Sequence, residues 1–146
     1  GASRQAFRGY TSSSRASGEF VWNLATRDLA DAMNQTCAAV GPEVSEFALA
    51  GLTPLPSTLV QPPRVAESPV TMECRCIQIL QLQGADGAQV PTWLVLGEVV
   101  AVHIDTALLK DGVYDTARAG HILRAGGPAD YFTVGPEQLF KMHRPR

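Results

Sequence analysis

Two clusters of residues carry side chains suited to holding a small charged molecule. Ser12, Ser13, Ser14 and Arg15 place three hydroxyls beside a guanidinium. That set matches a phosphate dianion, which accepts several short bonds at once; a flexible serine loop is the plain alternative. Arg124, Gly126, Gly127 and Tyr131 form the second cluster. Its glycines let the backbone approach a flat ring, its tyrosine can stack on one, and its arginine can face a phosphate or a charged ring edge. A tight turn with Tyr131 in the core is the alternative there.

Other reactive side chains give weaker signals. Cys74 and Cys76 stand two apart on one strand face, with His103 and His121 elsewhere. This is not a paired-cysteine zinc spacing, so a metal is not expected and a buried thiol pair is. His103, inside an apolar strand, reads as a hydrogen-bonded core or interface histidine, and His121 as more exposed. Glu43 and Glu46 read as a solvated helix face rather than an acid/base pair. Asn23, inside an apolar strand, reads as a structural amide that satisfies backbone groups. Thr36 and Cys37 read as core or cap residues close to the candidate ring.

The elements that must position these residues follow from pattern. Residues 19–25 form a short β-rich run. Thr26 is placed as the N-cap of a helix over 27–35, with Asp28 in its first turn. A second short helix is expected over 42–48, with Pro42 in its first turn and Gly51 at its end. Prolines 54, 56, 62, 63 and 69 forbid a helix or central strand over 53–69, which leaves an extended connection. Residues 70–83 alternate until a change of phase at Cys76-Ile77, the mark of a bulge. Gly84-Ala85-Asp86-Gly87 is a hairpin turn. The partner strand over 92–105 is apolar almost throughout, which predicts cover on both faces, and Gly97 at its middle predicts a bend or a close approach. A helical turn is expected over 106–110, irregular chain over 113–130, and short strands over 131–134 and 139–142 around a Gly135-Pro136 turn. Five or six strands with two or three short helices suit a small closed or half-open barrel.

Composition bounds the class. A chain of 146 residues with 45% hydrophobic content fits one domain spanning 1–146. Charged residues reach only 18%, below the ~25% typical of soluble domains, so some apolar surface is expected to serve as interface. The net charge of −2 argues against nucleic acid as a partner. Three cysteines with no regular framework point to a reducing, cytoplasmic setting. No apolar run reaches the length of a membrane span, and the first residues lack a secretory signal pattern.

Several words of the chain, in order, resemble the flavin reductase-like family with an FMN-binding split barrel. They are GEFVWNLAT (18–26), AMNQT (32–36), EVSEFALAGLTPLPS (43–57), PPRVAESPVTMEC (62–74), LVLGEVVAVHID (94–105), LLKDGVYDTAR (108–118) and LRAGGPADYF (123–132). The resemblance implies a mostly β fold, a Greek-key split barrel with a few short helices. It implies FMN, with FAD as the other choice, at the barrel edge of a homodimer. The implied reaction is hydride transfer from NAD(P)H to flavin, with a flavin-dependent monooxygenase as a candidate partner. A flavin-holding or purely structural dimer is the alternative. By the same resemblance, the 124–131 loop lies near the flavin or the nicotinamide. The family also carries an earlier N-terminal region and a Lys-Asp-Ser/Thr helix ahead of the GEF strand. Here Ser14-Arg15-Ala16-Ser17-Gly18 runs straight into that strand, so the sequence reads as N-terminally incomplete relative to the family.

Overall fold

Two long antiparallel strands, β4 (Val70–Gln83) and β5 (Gln89–Ile104), carry the architecture. The computed structural model describes residues 17–38, 40, 41 and 44–145. The expected turn joins the two strands. Gly84 N–H donates to Ala88 O, Asp86 Oδ1 accepts from Ala88 N, and Gly87 sits at φ +80°, a region that favours glycine. The register shifts between Cys76 and Gln78, which leaves Ile77 outside the ladder. This is the bulge that the change of phase predicted.

Strand β1 (Glu19–Asn23) pairs antiparallel with β4 on the side away from β5, giving the order β1-β4-β5. Gly97 of β5 faces Phe20: a Cβ built there would lie 2.5 Å from Phe20 Cζ and 3.2 Å from Cys74 Cβ. Close approach is therefore the reason for this glycine. The expected cover on both faces of β5 is not found. Leu94, Leu96, Val99 and Val102 are all exposed, and β5 is an edge strand among the described residues. Its apolar run records surface that needs cover, not cover supplied by these residues.

Helix α1 (Ala30–Thr36) is shorter than expected and has no side-chain cap. Thr26 is instead buried and bridged to His121, and Arg27 N–H donates to Gly120 O. This long-range pairing displaces the cap, and a turn over 26–29 precedes the helix. Helix α2 (Glu46–Ala50) starts later than expected, capped by Ser45, and Gly51 at φ +67° ends it as anticipated. Glu46 stands in its first turn; Pro42 and Glu43 lie outside the described residues.

Residues 53–65 form a strap whose ends pair as β2 (Pro54–Leu55) and β3 (Arg64–Val65). Beyond the sheet, the expected irregular stretch is partly ordered. It holds a tight hairpin of β6 (Leu109–Lys110) and β7 (Val113–Tyr114), turned by Asp111 and Gly112, both at positive φ. A second hairpin joins β8 (Ile122–Arg124) and β9 (Tyr131–Thr133). The strand expected over 139–142 does not form. A 3₁₀ turn (Pro136–Gln138) precedes an exposed segment, and Leu139, Phe140 and Met142 find no sheet to join. Leu24, Val70 and Ala119 make the buried core, with Ile104, Leu108 and Tyr114 packed against it. The core thus sits where the β1–β4 pair meets the C-terminal hairpins.

Candidate functional site

A cavity of about 450 Å³ opens between β1, α1, the end of the strap and β5. This lies within the ~300–1,000 Å³ usual for small-molecule sites. Phe20, Trp22, Met33 and Trp93 give it aromatic and thioether walls. Its polar lining is already bonded within the chain. Thr36 Oγ1 donates to Met33 O at 2.7 Å, and Ser68 Oγ lies 2.9 Å from both Leu24 O and Val70 O. Asn23 Oδ1 accepts from Val65 N at 2.9 Å, so the expected structural role of this amide holds. Among the described residues no ionisable side chain lines the space. Such walls take a flat, largely apolar ring by stacking and burial, and they exclude water from it.

Outside the cavity lies a buried carboxylate that sequence reading did not single out. Glu73 is completely buried. Its Oε1 accepts from Thr58 N at 2.7 Å and lies 2.6 Å from His103 Nε2. Its Oε2 accepts from Leu59 N at 2.6 Å and Val60 N at 3.2 Å. Burial pushes this carboxyl up. The backbone donors of Thr58 and Leu59, and then His103, outweigh burial and hold it down at about 2. An ionised carboxylate only accepts, so Nε2 of His103 carries the proton. The hint in the sequence was an acidic residue within an apolar strand, close to a proline-rich stretch short of backbone partners. Thr71, next to His103 in register, is also buried, and its Oγ1 has no hydrogen-bond partner among the described residues.

The two predicted clusters fare differently. Ser12, Ser13, Ser14 and Arg15 lie outside the described residues. Arg124, Gly126, Gly127 and Tyr131 do come together in the β8–β9 hairpin. Arg124 Nη1 donates to Ala125 O and Asp130 O at 2.7 and 2.9 Å. Nη2 donates to Gly127 O and Pro128 O at 2.8 and 3.3 Å. The guanidinium also lies 5.2 Å from the centre of the Tyr131 ring. Its terminal donors are therefore committed to shaping the loop. At Gly127 (φ +72°) a Cβ would lie 2.6 Å from Asp130 Oδ2, and Gly126 faces open space. Tyr131 is exposed, not in the core.

The remaining candidates lie elsewhere. His103 pairs with Glu73, while His121 Nε2 lies 3.1 Å from the Tyr114 hydroxyl. Cys37, Cys74 and Cys76 are free; Cys74 is buried and burial raises its thiol, whereas Cys76, beside the bulge, is only half-buried, so the expected buried thiol pair is not found. Among the described residues no group of three acidic, histidine or cysteine side chains could hold a metal. Thr36 lines the cavity, but Cys37 is exposed.

Comparisons place this geometry among known proteins. The sequence model of a family described as "Flavin reductase like domain" matches residues 11–122. An uncharacterized protein of Halalkalibacterium halodurans is 32% identical over 128 residues, 88% of this chain and 59% of that protein. The chain thus spans well under two thirds of that relative. Nitrilotriacetate monooxygenase component B from Bacillus cereus superposes with a TM-score of 0.82 at 28% identity, over 91% of this chain and 64% of that one. A split-barrel protein from Shewanella frigidimarina gives a TM-score of 0.78 at 23% identity, over 97% of this chain and 68% of that one. The fold is a mostly β split barrel.

Proposed function

The chain belongs to the flavin reductase-like family, and from that premise we propose that it binds FMN and passes hydride from NADH or NADPH to it. The observation that carries this reading is the aromatic-walled cavity beside β1. Its walls fit the ring portion of a flavin. Among the described residues no cation lines it, so the anionic end needs other groups. Ser12, Ser13, Ser14 and Arg15, which precede β1 in the sequence, are the residues we assign to the phosphate.

When bound, the flavin supplies the redox chemistry by accepting a hydride and later giving up electrons. The chain's own residues orient and shield. Phe20, Trp22 and Trp93 hold a ring flat, and Met33 closes a side. Arg124 keeps the 125–130 loop in one shape, so that Gly126 and Tyr131 present a rigid edge to a second ring. Hydride transfer between stacked rings needs positioning more than proton relay, which agrees with a cavity that no titratable side chain lines among the described residues.

The exposed apolar residues of β5 and of the C-terminal segment support a homodimer, since an apolar patch of that extent calls for cover. A flavin-consuming monooxygenase is the partner suggested by the likeness to a monooxygenase component B. No helix among the described residues is long and apolar enough to cross a membrane; the free thiols fit a cytoplasmic setting. The test is an FMN titration followed by flavin fluorescence, with NADH and then NADPH added. Micromolar binding and bleaching of the flavin absorbance is the expected result. Binding without bleaching leaves a flavin-holding module, and no binding refutes the cofactor.

A further inference from the structure

The strap over 53–65 is held by side chains that reach it from the sheet. Four prolines, at 54, 56, 62 and 63, remove donors and prevent a regular ladder. The remaining N–H groups still need acceptors. Glu73 takes those of Thr58, Leu59 and Val60. Glu19 takes that of Gln61 at 2.8 Å, and Asn23 that of Val65. At the strap's near end, both carboxylate oxygens of Glu67 accept from Thr53 N. Glu19 and Asn23 share β1, and Glu73 stands on β4 opposite Val21, which lies between them. The strap is thus latched across two strands.

The far end of this strap forms part of the cavity. Val65 and Ser68 line it, together with Asn23 and Val21 of the strand beneath. We propose that Glu73 is a positioning residue for the flavin site: by latching residues 58–60 it fixes the strap, and through the strap the Val65–Ser68 wall against which the ring packs. The claim deepens the flavin-binding reading and rests on it. His103 completes the latch by holding Oε1, so the carboxylate meets a donor on each oxygen from more than one direction. Glu73 does not line the cavity, and its influence reaches the ligand only through the wall.

The experiment compares Glu73→Gln with Leu108→Ala in the otherwise unaltered chain. Gln keeps the shape but turns one acceptor into a donor group. Leu108 packs against the core from the C-terminal side, lines no cavity and bonds to no strap amide, so its truncation lowers stability without touching the latch. Two readings are taken: amide hydrogen exchange without flavin, and FMN titration. In Glu73→Gln the amides of 58–60 are expected to lose protection while the β4–β5 ladder keeps it. FMN affinity is expected to fall about tenfold, the scale of a displaced binding wall. In Leu108→Ala it should stay within about twofold of wild type, because that side chain belongs to neither the cavity nor the strap.

Protected 58–60 amides in Glu73→Gln would overturn the latch. Equal weakening of FMN binding in both variants, or none in Glu73→Gln, would reduce Glu73 to a stabilising residue. If the wild-type chain binds no FMN, the flavin reading fails and takes the positioning role with it, whereas the exchange data report the latch independently. Should Glu73→Gln not fold, Glu73→Asp, which keeps the charge but withdraws it by one methylene, carries the same two predictions.

Discussion

The β4–β5 hairpin and the strap over 53–65 solve the same problem in opposite ways. In the hairpin, main-chain groups satisfy one another across a continuous ladder, and the turn residues supply their own closure. In the strap, prolines interrupt any ladder, and the amides are satisfied by carboxylates and an amide from 13 to 42 positions away. A ladder is many bonds, each of which can be lost singly. The strap concentrates three backbone bonds and an imidazole on one carboxylate. Backbone satisfied by side chains is therefore the more fragile of the two, and it borders the proposed binding site.

The largest effect should come from Glu73→Ala. It leaves three strap amides and His103 without an acceptor, and a loss of about 3–5 kcal/mol is expected from chemical denaturation. A loss below about 1 kcal/mol would mean that water replaces the carboxylate freely, and the contrast between the two regions would disappear. The hairpin has its own weak point at Gly97. Gly97→Ala drives a methyl into Phe20 and should cost about 1–3 kcal/mol, with partial recovery when Phe20→Leu makes room. Full stability in Gly97→Ala would show that the Phe20 ring moves aside without strain.

Acid should separate the regions next. The Glu73 carboxyl is held at about 2, below its ordinary value of 4.5. Its contribution is therefore complete above the ordinary carboxylate range and is lost as pH falls through about 2. Wild-type stability should decline as pH drops from about 4.5 towards 2, and Glu73→Gln should decline less over that window. Parallel curves would detach the carboxylate's charge from the strap. The smallest effect concerns the thiols. Cys37 is exposed, whereas Cys74 is buried in the hairpin with its thiol pushed up by burial. A disulfide reagent should label Cys37 first and Cys74 only after unfolding. Early labelling of Cys74 would show that the hairpin opens at least as readily as the strap.

Much of the hairpin was legible in the sequence. Gly84 to Gly87 marked the turn, the change of phase at Cys76-Ile77 marked the bulge, and Gly97 marked the close approach. The end of α2 at Gly51 was legible for the same reason, a local preference for positive φ. Thr26 misled, because its capping signal lost to a bridge with His121. The apolar run of β5 was legible as a face that needs cover, but periodicity does not report what covers it. At the candidate site, the Arg124 cluster was legible as a cluster. Its role was not, because only the folded loop shows four carbonyls turned onto the guanidinium.

What the sequence by itself determined was local: a mostly β chain, its principal hairpin, its turns, and the family to which its ordered words belong. These follow from side-chain period, backbone preference at glycine and proline, and residue order. The tertiary structure alone decided that Trp22 and Trp93 line one cavity, that Thr26 joins His121, and that Glu73 serves a loop 13 to 15 residues before it. The physical reason is that a buried polar group takes whichever partners the packed chain brings within reach, and that proximity is a property of the fold and not of any sequence window.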